Sequence, residues 1–255
     1  MEDKGLNEVM IIYGMNPLIE ALRSGDRRFV RIILSDRRSR KGVKEIIRLA
    51  EDRGIRVDKG EVEDIDKICG SLSHQGIVGI VSEKKVVSLD DLIDLSFKGE
   101  GDPCIVILDG VEDPRNLGSI IRSAEVFGMR GVIIPKDRSA GLTATVVKAS
   151  AGAMEYMPII KVTNIVRVIE VIKRRGFWVV GIDMAGETGS YFFKFEGPIA
   201  VVIGGESRGI RKLVKRKCDF LVSIPMIGRI NSLNVSVASA IIFYEILRRK
   251  TVKGS

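Results

Sequence analysis

The chain has 255 residues with a formal net charge of +8, 45% hydrophobic and 5% aromatic residues, enough for one large or two small domains with aliphatic cores. No stretch approaches the roughly 18 uninterrupted apolar residues of a membrane span, and the polar start MEDKGLNEVM is unlike a signal peptide, so a soluble cytoplasmic protein is expected. Cys69, Cys104 and Cys218 lie far apart without metal or redox spacing, and a single histidine, His74, leaves little for a histidine zinc site or a Ser-His-Asp triad.

In chain order, residues 9–34 read as a short apolar run, the turn Tyr13-Gly14, a helix over Pro17–Arg23 with Leu18, Ala21 and Leu22 on one face, and the strand FVRIIL. VKEIIRLAED (43–52) is amphipathic and stops at Gly54. A strand near 55–57, a helix near 62–68 and a strand at 77–81 complete a small α/β unit over 1–83. His74, beside Gln75-Gly76 at the start of that strand, reads as a structural or surface residue. Residues 84–103 are acidic and weakly periodic, and read as a linker. The second unit, 104–255, opens with CIVILD, an all-apolar strand of the kind buried on both faces of a parallel sheet. Strands at 131–134, 157–160, 177–182, 199–203 and 220–224 alternate with helices at 117–127, 144–150, 165–175, 210–217 and 235–249. Strand–helix alternation predicts a parallel sheet covered on both faces.

The charge is unevenly placed. Residues 1–83 carry 15 basic and 15 acidic side chains, whereas 104–255 carry 23 basic and 13 acidic, so the excess lies where a polyanion would meet the second unit. The front unit is neutral with local basic runs that include Arg27, Arg28 and Arg38.

Ligands of open parallel sheets gather at the carboxyl ends of the strands, and three loops there are rich in glycine and polar residues. In DGVEDPRNLGSIIR (109–122), Asn116 is placed to cap the following helix, and Arg122 serves either as a surface residue or as an anion ligand. In VIGGESRG (202–209), paired Gly204 and Gly205 let backbone approach a ligand, and Glu206 precedes a basic helix. In IPMIGRINSLN (224–234), Ser232 and Asn234 are candidate helix caps or site residues. GxxxxGK[ST] is absent, and no GxGxxG follows a strand, so neither a P-loop nor a Rossmann nucleotide site is supported.

Taken together, DPRNLGSIIRSAEVFGM (113–129), VIGGESRGI (202–210) and IPMIGRINSLNVSVASAIIFYE (224–245) resemble the motifs of the SpoU (TrmH-type) RNA ribose 2′-O-methyltransferases of the SPOUT superfamily. IYGMNPLIEAL (12–22) and HQGIVGIV (74–81) resemble, more weakly, the L30e-like RNA-binding front domain of the large-subunit rRNA guanosine methylases in that family. The resemblance implies a trefoil-knotted α/β catalytic domain and a homodimer. It also implies S-adenosylmethionine bound by Gly204, Gly205, Ile224, Met226 and Leu233, with no metal. Asn116, Arg122, Glu206, Ser232 and Asn234 would form the catalytic set, Arg122 acting on the ribose hydroxyl. Arg208, Arg211, Lys212, Lys215, Arg216 and Lys217 would then make a strip for RNA phosphates, joined by Arg27, Arg28 and Arg38 in front. With few aromatics, RNA is expected to be read by shape and backbone rather than by stacking. A guanosine of large-subunit (23S) rRNA is the expected target. A tRNA target, an adenosine target of resistance type, and a catalytically silent RNA-binding or ribosome-assembly protein are the alternatives.

Overall fold

The computed structural model describes residues 9–35, 41–84 and 87–252. The chain divides into two compact units, Met1–Lys85 with Leu142–Tyr156, and Val86–Gly141 with Met157–Ser255.

The first unit runs β1 (Val9–Tyr13), α1 (Met15–Ser24), β2 (Phe29–Ser35), α2 (Lys41–Asp52), β3 (Val57–Gly60), α3 (Val62–Cys69) and β4 (Ile77–Ser82). The sheet order is β1-β4-β2-β3, with β4 antiparallel to both neighbours and β2 parallel to β3. α1 buries Leu18, Ala21 and Leu22 and ends at Gly25, whose φ of 78° is the left-handed conformation glycine adopts freely. His74 is buried. Its Nδ1 accepts the amide of Gly76 at 3.0 Å, so Nε2 carries the proton toward Asp66 Oδ1 at 2.6 Å. That is the structural role expected of it.

The second unit begins with a difference from the linker expected over 84–103. Residues Leu89–Ser96 form α4, and its Leu92 and Ile93 are fully buried. Ser88 and Asp91 close a reciprocal capping box at its start. Eight residues with two apolar anchors are too few for a periodic signal, so acidity dominated the sequence pattern. There follow β5 (Cys104–Asp109), α5 (Pro114–Val126) and β6 (Val132–Pro135). α6 (Ala144–Ala149) returns to the first unit. The chain continues with β7 (Ile159–Val162), α7 (Ile165–Arg174), β8 (Trp178–Ile182), β9 (Thr188–Gly189), β10 (Ile199–Gly204), α8 (Lys212–Lys215), β11 (Phe220–Ser223) and α9 (Val235–Val252). The basic helix expected over 210–217 is a single turn.

These strands make one parallel sheet in the order β7-β6-β5-β10-β8-β11-β9. All six side chains of β5 are buried, as its apolar run requires of a strand covered on both faces. α7 shows the helical counterpart: Ile165, Val168, Ile169 and Ile172 are buried at spacings of three and four, and Asn164 caps the start through the amide of Arg167. No helix among the described residues is long and apolar enough to cross a membrane.

Candidate active site

The three glycine- and polar-rich loops converge at the carboxyl ends of β5, β8 and β10, all within the second unit. A cavity of about 730 Å³ opens there. Its walls include Gly204, Gly205, Ile224, Met226 and Leu233, the five positions expected to hold a cofactor, together with Glu206, Ser232 and Asn234. The end of β8 and the loop after it add Ile182, Asp183 and Met184, which no sequence motif marked.

The two glycines are required sterically. A Cβ on Gly204 would occupy the backbone of Gly209 and Ile210, and one on Gly205 would meet the carbonyl of Gly110. The turn is closed by Gly205 N donating to Asp109 O at 3.1 Å and Gly209 N to Gly205 O at 3.1 Å. Backbone at Gly204, Gly205 and Gly209 therefore packs tightly and forms part of the cavity lining.

Three of the expected polar residues form one hydrogen-bonded chain. Asn116 Nδ2 donates to Glu206 Oε1 at 2.6 Å, and Asn234 Nδ2 donates to Asn116 Oδ1 at 3.1 Å. Glu206 Oε2 also accepts the amide of Glu112 at 3.4 Å. Asn234 Oδ1 in turn accepts from Ser236 N at 2.8 Å and so caps α9. Asn116 is not the cap of α5. Asp113 takes that place, accepting the amide of Arg115 at 2.7 Å, with Pro114 opening the helix. Asn116 sits in the first turn, where its amide is free to bridge two loops. Ser232 lines the cavity but stands outside this chain. Arg122 is exposed on α5 and lines neither this cavity nor its neighbour.

The adjoining cavity, about 390 Å³, is walled by Asp109, Glu112, Asp137, Arg138, Arg208 and Arg211, with Gly205 and Gly209 shared. Three of the basic residues expected on the RNA strip are held by acids. Arg211 Nε and Nη2 clasp the buried Asp109 carboxylate at 2.7 and 2.6 Å, and the Arg211 amide donates to its other oxygen at 2.8 Å. Lys215 pairs with Asp183 at 2.6 Å on the cavity wall. Arg208, Lys212 and Arg216 are exposed, and Lys217 is paired with Glu170 at 2.7 Å.

In the first unit the expected RNA contact at Arg27 is corrected. Its side chain is fully buried and makes a two-pronged ion pair with Glu155 at 2.6 and 2.9 Å. Arg28 is exposed, and Arg38 lies outside the described residues. Burial pushes the thiols of Cys69 and Cys218 up to about 11 and that of Cys104 to about 12, which leaves no ready nucleophile among them. No group of histidine, cysteine and carboxylate side chains among the described residues is arranged to hold a metal ion.

Known proteins resemble this chain in sequence and fold. The SpoU rRNA Methylase family matches residues 103–244, and the family of RNA 2′-O ribose methyltransferase substrate-binding domains matches residues 11–87. YacO of Bacillus subtilis (strain 168), assigned to the TrmH family of tRNA/rRNA methyltransferases, is 40% identical over 95% of this chain and 97% of its own. The crystal structure of the SpoU methyltransferase AviRb from Streptomyces viridochromogenes, in complex with AdoMet, superimposes with a TM-score of 0.80 at 25% identity, covering 96% of this chain and 91% of that one. An AdoMet-bound rRNA methyltransferase from Sinorhizobium meliloti gives 0.78 at 26% identity over 94% and 87%. With family models matching both units and a relative 40% identical over nearly the whole chain, this protein belongs to the SpoU/TrmH family of RNA methyltransferases.

Proposed function

We propose that the protein transfers the methyl group of S-adenosylmethionine to a ribose 2′-hydroxyl of structured RNA, with a guanosine of large-subunit rRNA as its target. The observation that carries this reading is the Glu206–Asn116–Asn234 chain on the glycine-lined cavity.

The cavity fits the cofactor. Backbone at Gly204 and Gly205 offers close approach, Ile224, Met226 and Leu233 offer apolar cover, and the Glu206 carboxylate supplies negative charge near a sulfonium. Bound there, S-adenosylmethionine supplies an already electrophilic methyl group. The protein has then to align the ribose oxygen behind that carbon, and alignment contributes roughly 7–11 kcal/mol to such reactions. Asn116 and Asn234 hold the loops that set the alignment. Arg122 remains a cation, because a guanidinium is not deprotonated in proteins. Its role is to hold an RNA phosphate and to stabilise the oxygen as its proton leaves. Arg208, Lys212, Arg216 and Arg28 serve the RNA backbone from exposed positions, and no metal is required.

Arg122 is separate from the cavity within one copy, which supports a homodimer whose second copy completes the site. α9 and α5 present Val237, Ile241, Tyr244 and Val126 to solvent, with Tyr244 set edge-on against Phe127, a surface suited to self-association. After β11 the segment 224–234 returns past β8 and β10 to set α9 against α5, and this path supports the trefoil knot. The bacterial source of relatives such as YacO supports a cytoplasmic protein. A tRNA target is the second reading, favoured by the pairing of tRNA with rRNA in the family name of YacO.

The test is transfer of tritium from labelled S-adenosylmethionine to separate pools of unmodified large-subunit rRNA, small-subunit rRNA and tRNA, with Arg122→Ala alongside. The expected result is 2′-O-methylguanosine in large-subunit rRNA, lost in the variant. Label in tRNA alone moves the target to tRNA. No transfer to any pool, with no cofactor binding, overturns the enzymatic reading.

A further inference from the structure

The cavity of about 390 Å³ beside the cofactor cavity lies wholly within the second unit, and methyl transfer as derived above leaves most of its charged lining without a task. The two cavities share Gly205, Ser207, Arg208 and Gly209, a turn closed by the pairing of Gly205 with Gly209. A group held in the smaller cavity is therefore one turn of backbone away from the cofactor. The volume falls within the roughly 300–1,000 Å³ of small-ligand sites.

The lining carries both signs of charge. Arg138, Arg208 and Arg211 stand beside Asp109, Glu112 and Asp137. Only Arg211 and Asp109 are paired. The buried Asp109 carboxylate grips Arg211 at Nε and Nη2, 2.7 and 2.6 Å away, which fixes the guanidinium and leaves its other donors to a ligand. Glu112, Asp137, Arg138 and Arg208 are exposed and make no ion pair among the described residues. Arg138 has a φ of 54°, a left-handed conformation that a non-glycine residue keeps only where its surroundings hold it. The amide of Ala140, donating to Val111 O at 2.9 Å, pins that loop to the one bearing Glu112.

This pattern selects its occupant. A bare phosphate would meet two uncompensated carboxylates, and an apolar group would strip water from unpaired charges. An uncharged nucleobase meets charges of both signs through its donor and acceptor edges. Among the four bases, guanine alone presents two adjacent acceptors, O6 and N7, on one edge and two adjacent donors, N1–H and the N2 amine, on the other. A guanidinium fork matches the first edge and carboxylates match the second. Adenine alternates donor and acceptor on both edges, and uracil brings a single donor.

We propose that this cavity reads the target base as guanine. The free donors of Arg211 take O6 and N7, the carboxylates of Glu112 and Asp137 take N1–H and the N2 amine, and Arg138 and Arg208 hold the phosphates on either side. The inference rests on methyl transfer to RNA, and it gives the proposed guanosine target a physical basis.

The full-length protein, saturated with S-adenosylhomocysteine, is titrated with 5′-GMP, 5′-IMP and 5′-AMP, and binding is followed by ligand-observed NMR. We expect GMP to bind at least about tenfold more tightly than AMP, with IMP, which lacks only the N2 amine, between them. Glu112→Gln combined with Asp137→Asn changes two exposed side chains that make no ion pair, so calorimetry should find cofactor affinity as in the parent, which shows that the variant is folded. In this variant GMP should bind about tenfold more weakly, near the level of AMP, and kcat/KM for unmodified large-subunit rRNA should fall by at least as much. GMP that binds no better than AMP, or a variant that keeps the preference, in protein that methylates RNA overturns the base-reading cavity and leaves the enzymatic reading standing. Transfer to RNA with no label in guanosine overturns it together with the proposed target. Loss of both cofactor binding and transfer in the parent protein removes the reading on which it rests.

Discussion

Asn116 links two loops that are far apart in sequence. Its amide donates to Glu206, 90 residues away, and its carbonyl accepts from Asn234, 118 residues away. Replacement by alanine leaves the Glu206 carboxylate short of one partner and frees the loop that carries Asn234, while the backbone lining at Gly204 and Gly205 is untouched. We expect Asn116→Ala to lower kcat by roughly 100-fold, the order seen when an orienting hydrogen-bonding group is lost, with cofactor affinity changed by less than about threefold. Single-turnover methyl transfer beside calorimetric cofactor binding checks it, and an equal loss in both would place Asn116 in the binding site instead. At this scale residue type was legible in the sequence, but partnership was not. Gly204, Gly205, Ile224, Met226 and Leu233 were recognisable from their motifs and do share a cavity. Arg27 and Arg211 looked like their exposed basic neighbours, because nothing local distinguishes an arginine at a phosphate from one closing on a carboxylate 128 or 102 residues away.

The elements of the first unit depend on such a pair. Arg27 sits between α1 and β2, and Glu155 follows α6 in a segment that is contiguous in sequence with the second unit but packed with the first. The guanidinium also donates to the carbonyl of Ser82 at 3.0 Å, so its hydrogen-bonding positions are spent inside the protein. Burial of two charges is tolerable only while both are present. Glu155→Ala strands the Arg27 cation and should cost about 3–5 kcal/mol, whereas the joint replacement Arg27→Met with Glu155→Leu should cost much less. Urea unfolding followed by circular dichroism measures both, and equal losses in the single and double variants would show that packing rather than charge is at stake. The neighbouring Lys84 ammonium, donating to the carbonyls of Met154 and Glu155 at 2.7 and 2.6 Å, has its pKa lowered to about 8 by burial. α4 teaches the complementary lesson: an acidic stretch that looked like a linker is a helix because a capping box and two buried apolar residues suffice for eight residues.

At the scale of the whole molecule, the first unit is discontinuous, and this bears on dissection. Val146, Val147, Ala153 and Met154 are buried in a unit otherwise made of the first 85 residues. A fragment of residues 84–255, which follows the boundary suggested by composition, uncovers that apolar segment. We expect the fragment to aggregate or to be cleaved within 142–156 at protease levels that leave the full chain intact. Size exclusion and limited proteolysis decide this, and a monodisperse, resistant fragment would show that the segment is stable without the front of the chain.

By itself, the sequence determined what short-range chemistry determines. Strand and helix alternation, the all-apolar β5 and the four-residue stripe of α7 follow from period and burial, and three motifs with fixed residue types announced the family. The tertiary structure decided what depends on distant residues meeting. It alone placed Leu142–Tyr156 with the first unit, buried Arg27, set Lys215 against Asp183, and gathered scattered aromatics at the amino ends of β8, β10 and β11. The physical reason is that a parallel sheet orders its strands by crossover connections rather than by chain sequence. β8 and β11 therefore become neighbours, and Trp178 meets Phe220, although 41 residues lie between them in the chain.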